Sequence, residues 1–81
     1  MEEKIMSILK NVRPDVDFAN EKALIDDSII ESFDVIQIVT SFMDEFGIYI
    51  DADDIEPENL NSFAEICAFV QSKIDSEKGV G

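Results

Sequence analysis

Histidine is absent from this chain of 81 residues, cysteine occurs once, and no lysine or arginine lies between residues 23 and 72. Without histidine the commonest general base and metal ligand is missing, and one cysteine excludes both a disulfide framework and a cysteine-based zinc site. Most familiar enzyme chemistries drop out. A chain of this length buries only about 60% of the surface its unfolded form exposes, so it builds a small core and no roomy catalytic cleft. Long apolar runs are absent too: none approaches the roughly 18 residues of a membrane span. The N-terminus MEEKIMSILK carries acids where a signal peptide carries a basic region. The expectation is a cytoplasmic protein without membrane insertion, with one domain over residues 1–76 and a frayed tail over 77–81.

The charge has mostly one sign. Six basic residues stand against nineteen acidic ones, a formal net charge of -13. Phosphates and anionic membrane surfaces would be repelled, which argues against nucleic acid and leaves basic protein surfaces as the expected partners. Lys4, Lys10, Arg13 and Lys22 precede residue 23, and Lys73 and Lys78 follow residue 72, while the stretch between holds twelve acids. Such a one-sign field serves solubility, and it also speeds encounter with oppositely charged partners.

Ile5, Ile8, Leu9 and Val12 recur at the i, i+3, i+4, i+7 spacing, which predicts an amphipathic helix from Glu2 to about Val12, ended by Pro14. From Arg13 to Glu31 the apolar residues have no period. That segment reads as a long loop laying Val16, Phe18, Leu24, Ile25, Ile29 and Ile30 across the core. Ser32 to Phe46 is the most hydrophobic stretch, with Val35, Ile38, Val39, Phe42 and Phe46 on one helical stripe, Phe33, Ile36 and Met43 off it, and Gly47 placed as a C-cap. DADDIEPE, 51–58, reads as a turn and a short helical piece interrupted by Pro57. Ser62 stands three residues before Glu65 at the capping-box spacing, and opens a helix with Phe63, Ile66, Cys67, Val70 and Ile74 on one face, ending near Ile74. The fold class is therefore all-α, a small bundle of three main helices plus a short extra helical turn, with a long loop between the first two helices.

Few residues invite chemistry. Cys67 falls within an apolar stripe and reads as core. The DADD run does not make a calcium loop, because the sixth and twelfth positions from Asp51 are Glu56 and Ser62 where an EF-hand needs glycine and glutamate. Glu31 and Asp34 flank Ser32, but carboxylates at a helix start answer the macrodipole, and on local grounds Ser32 reads as an N-cap. No triad or oxyanion-hole partner can be named for it. A serine without histidine is either passive or a site that another enzyme modifies. Phe33, Ile36 and Met43, apolar yet off the stripe and beside Asp34, Asp44 and Glu45, describe an apolar patch rimmed by acids, suited to docking.

Taken together, LIDDSIIESFDVIQIVTSFMDEFGIYI, residues 24 to 50, resembles the acyl carrier protein family. The matching features are an acidic loop, a serine motif present here as Glu31-Ser32-Phe33-Asp34, an apolar helix, and the ending Glu45-Phe46-Gly47-Ile48. Chain length, helix spacing and acidity agree, so the resemblance spans residues from about 3 to 75. It departs at Glu31, where aspartate is usual, at Phe33, where leucine or methionine is usual, and at Gln37, often acidic in fatty-acid carriers.

The resemblance implies that Ser32 carries 4'-phosphopantetheine, covalently attached from coenzyme A by a phosphopantetheinyl transferase. The arm's thiol would hold an acyl or aminoacyl group as a thioester, received from a loading ligase and delivered to an acyltransferase or synthase with a basic surface. The chain itself would be a non-catalytic, monomeric carrier, for fatty-acid, polyketide, peptide or D-alanyl transfer. Glu31, Phe33, Asp34, Ile36, Met43, Asp44 and Glu45 would form the docking face, and the space between helices would shelter longer cargo. Two other readings stay open: a small acidic helical adaptor with Ser32 unmodified, and an acidic mimic of nucleic acid.

Overall fold

The helix starts and stops follow from short-range chemistry. In the computed structural model, which describes the backbone of residues 1–80 and the side chains of residues 1–76, α1 spans Glu2–Val12 with Glu2 and Glu3 in its first turn and Lys10 in its last. Both placements suit the helix dipole. Arg13 leaves the helical region at φ -136°, ψ 82°, as the residue before a proline must. α2 spans Ser32–Phe46 and stops at Gly47 in the left-handed conformation, φ 62°, ψ 36°, whose N–H donates to the Met43 carbonyl at 3.0 Å.

After α2 comes a 3-10 turn, Ala52–Asp54, and then α3, Pro57–Leu60. Pro57 starts this helix where the sequence suggested an interruption, because a first-turn residue needs no N–H donor and has the right φ already. α4 spans Phe63–Val80 and so continues past the end expected near Ile74. The apolar stripe fades there, but nothing in Asp75-Ser76-Glu77-Lys78 breaks a helix. The expected frayed tail, 77–81, lies outside the residues whose side chains are described. At the start of α4 the Glu65 N–H donates to Ser62 Oγ at 3.2 Å, and Ser62 Oγ–H donates to Glu65 Oε1 at 3.0 Å.

These elements make a small all-α bundle, with no strand among the described residues. α1 packs on α2 and α4, and α3 packs on α4. One core joins them: Ile5 and Leu9 from α1, Val35, Ile38, Val39 and Phe42 from α2, Leu60 from α3, and Ile66, Cys67, Phe69 and Val70 from α4. The long loop, 13–31, supplies Val16, Phe18, Leu24 and Ile30 to the same core, Phe18 and Leu24 with no exposure at all. Burying each of those two contributes about 1.5–3 kcal/mol, as much as a helix residue would. Cys67 is buried within this core, which pushes its thiol pKa up. Among the described residues no helix is long and apolar enough to cross a membrane.

Candidate functional site

Ser32 is exposed and occupies the first helical position of α2. The N-cap is Glu31, one residue earlier, at φ -103°, ψ 171°. This corrects the reading of Ser32 as the cap: the capping box is made by Glu31 and Asp34, whose Oδ2 accepts the Glu31 N–H at 3.1 Å. A shift of one position has a chemical consequence. A cap serine spends its oxygen on the backbone N–H groups two or three residues on, whereas at the first helical position the side chain points off the helix.

Asp34 has a second task. Its Oδ2 also accepts Arg13 Nη1 at 2.7 Å, a part-buried contact between the end of α1 and the start of α2. The same Arg13 Nη1 donates to the Ile29 carbonyl at 3.3 Å, while Nε and Nη2 donate to the two Asp15 oxygens at 3.0 and 2.9 Å. The Glu31 N–H and then the Arg13 guanidinium hold the Asp34 carboxyl below the usual carboxylate range. Asp34 was expected on the docking face, but its side chain is only 15% exposed and faces inward to this network.

Beside Ser32 lies an open groove of about 640 Å³. The loop contributes Ile25, Ser28 and Ile30 to it, and α2 contributes Glu31, Ser32, Val35 and Ile36. Ala52, the first residue of the 3-10 turn, and Ile55, just after it, form the opposite wall. That wall is tied down by Asp54, which pairs with Lys73 Nζ at 2.6 Å, accepts the Asp51 N–H at 3.0 Å, and offers its carbonyl to Asn59 Nδ2 at 2.9 Å. Lys73 and then the Asp51 N–H hold the Asp54 carboxyl low. Glu56 next to it goes the other way, raised by Glu58.

The expected docking residues divide. Phe33 is 70% exposed and Ile36 58%; Glu31, Asp44 and Glu45 are exposed as well. Met43 is half-buried against the core. Tyr49, at 66%, is a further exposed aromatic that the helical pattern did not single out.

Three residues of this region escaped the sequence reading. Arg13 opens the aperiodic loop segment, and nothing local shows that its guanidinium reaches Asp34. Asn61 accepts the Ile25 and Asp26 N–H groups on Oδ1 at 3.0 and 3.1 Å, and its carbonyl accepts the Leu24 N–H at 2.9 Å, so it fastens the loop to the α3–α4 junction. Ser28 has φ 55°, unusual for a residue with a Cβ; the Asp-Asp-Ser run at 26–28 was the available turn signal.

Comparison with protein-family models, with curated proteins and with solved structures returns no match. Fold and site define the class alone: a small acidic all-α bundle with an exposed serine on the first turn of its second helix, at the rim of an apolar groove.

Proposed function

We propose that this protein is an acyl carrier, with 4'-phosphopantetheine on Ser32 and an acyl or aminoacyl group on the thiol of that arm. The observation that carries the reading is the placement of Ser32, whose exposed hydroxyl stands at the N-terminus of α2 beside the groove, with capping left to Glu31 and Asp34. In the loading step the Ser32 oxygen forms a bond to the phosphorus of coenzyme A that bears the pantetheine. The pyrophosphate bridge breaks, adenosine 3',5'-bisphosphate leaves with the electron pair, and the hydroxyl proton passes to a base on the transferase. The unpaired N–H groups of the first turn favour the resulting phosphodiester, although Glu31 opposes it.

Delivery rather than catalysis is the role. Partners would be a phosphopantetheinyl transferase, a loading ligase, and an acyltransferase or synthase whose lysines and arginines meet Glu31, Asp44 and Glu45. Phe33 and Ile36 add apolar contact. The contact would be small and salt-sensitive, in keeping with a shuttle that must leave each enzyme. A cytoplasmic setting belongs to the same proposal. The groove's apolar lining of Ile25, Ile30, Val35, Ile36 and Ile55 offers the arm and short cargo a surface. The exposed Phe33 and Ile36 equally suit an adaptor that leaves Ser32 unmodified.

Intact mass spectrometry after incubation with coenzyme A and a broad-specificity phosphopantetheinyl transferase separates the two. One added phosphopantetheinyl unit is expected in the parent and none in Ser32→Ala. No gain in the parent with several transferases would leave the adaptor.

A further inference from the structure

The segment that presents Ser32 leaves a turn at 24–28, bends at Ile29 and Ile30 and is extended at Glu31, and its hydrogen bonds come from elsewhere in the chain. Ile29 and Ile30 donate their N–H groups to the Leu24 carbonyl at 2.9 and 3.1 Å, and the Ile29 carbonyl faces Arg13 Nη1 at 3.3 Å. On the far side of Ser32, the Asp34 carboxylate bridges Arg13 and the Glu31 N–H at 2.7 and 3.1 Å. One guanidinium nitrogen therefore touches the chain three residues before Ser32 and, through Asp34, two residues after it. Asp15, exposed at 65%, takes the other two guanidinium nitrogens and fixes the plane of the group.

We propose that Arg13 is a positioning residue for modification at Ser32: it locks the entry to α2 so that the Ser32 hydroxyl is held in one direction before any partner arrives. The proposal rests on the carrier reading for its enzymatic readout, but the lock itself is a property of the free chain. Arginine suits the task where lysine does not. Its fork serves Asp15, Asp34 and the Ile29 carbonyl at once, while an ammonium is a single point charge on a flexible stem. A hydroxyl whose direction is set in advance loses less freedom in the transfer complex, and misplacement by about 1 Å can cost as much as a hundredfold in rate.

The test compares Arg13→Ala, Arg13→Lys, Asp34→Asn and the control Lys10→Ala, each with coenzyme A and the transferase used above. Lys10 is exposed near the end of α1 and its loss changes net charge as much as that of Arg13, so any effect of long-range attraction on KM should be the same in both variants. The expected result is a kcat reduced roughly tenfold to a hundredfold in Arg13→Ala and lowered in Asp34→Asn but unchanged in Lys10→Ala, with Arg13→Lys keeping the parent's KM but recovering little of kcat. Arg13→Ala and Asp34→Asn combined should lose no more than the worse of the two. Equal kcat for Arg13→Ala and Lys10→Ala, or a loss confined to KM, would overturn the proposal. Hydrogen exchange of the Glu31 amide, read on the unmodified proteins, keeps the two readings separate: it should quicken at least tenfold in Arg13→Ala while the amides of α4 keep their protection. If the parent accepts no phosphopantetheine the carrier reading fails, and unchanged Glu31 exchange would then dispose of the lock as well. If Arg13→Ala does not fold, the single variant Asp34→Asn and the milder Arg13→Lys carry the same comparison.

Discussion

Among the described residues, Gly47 and Ser28 are the two places where single residues pay for turns. Both have positive φ, 62° and 55°. A Cβ built on Gly47 meets nothing within 4 Å, so a side chain there costs backbone strain and not a clash. Gly47→Ala should lower stability by about 1 kcal/mol, read as a shifted urea midpoint with an unchanged slope. Ser28 already bears that strain. Ser28→Gly should stabilise by about 0.5 kcal/mol, since relief of strain at positive φ exceeds the extra freedom that glycine gives the unfolded chain. A destabilised Ser28→Gly would show that the Ser28 side chain holds the turn in some other way. Because Ser28 lines the groove, this variant also tests whether that wall tolerates change without loss at Ser32.

At the scale of elements, the long first loop behaves as a core element without being a helix. Phe18 in the loop and Phe42 in α2 are both fully buried. Truncation to alanine should therefore cost about 3–5 kcal/mol at either position, measured by denaturant unfolding; a Phe18→Ala cost below about 1 kcal/mol would mean that the loop packs far less firmly than α2. The clamp on that loop is Asn61. Removing its side chain in Asn61→Ala deprives the Ile25 and Asp26 amides of their acceptor. A loss of about 1–2 kcal/mol is expected, since Asp26 is exposed and can turn to water. Amide exchange at Ile25 and Asp26 should quicken while α2 remains protected, and unaltered exchange there would count against the clamp.

For the molecule as a whole, charge and pH are linked through a few carboxylates. Arg13 holds Asp15 low, the Glu31 N–H and Arg13 hold Asp34 low, and Lys73 with the Asp51 N–H holds Asp54 low. Each stabilises the fold fully above its unfolded pKa, near 3.9, and that contribution disappears as the pH falls through the lower folded value. Glu56, raised by Glu58, acts oppositely: it favours the fold when protonated and loses that effect as the pH rises through its folded pKa. Protonation also relieves the repulsion within a chain of net charge -13, so the acid limb of the stability curve should be shallow. Asp34→Asn should therefore destabilise near neutral pH, with the gap to the parent closing below about pH 4. Urea unfolding at pH 7, 5 and 3 checks this, and a constant gap would show that the carboxylate charge contributes nothing.

The sequence by itself determined most of the elements, though not the end of α4 or the start of α3 at Pro57. Apolar spacing placed Glu2–Val12 and Ser32–Phe46 at their observed bounds, and Gly47 and the Ser62–Glu65 pair announced a stop and a start, because periodicity and capping are interactions over one or two turns. Tertiary structure decided the rest. The tie between Asp34 and Arg13 joins residues twenty-one apart; the course of the loop depends on Asn61, thirty-six residues from Ile25. The groove beside Ser32 exists only where the loop, α2 and the 3-10 turn meet. Contacts at such separations leave no periodic mark on the chain, since each is fixed by the packing of whole elements and not by neighbours along the sequence.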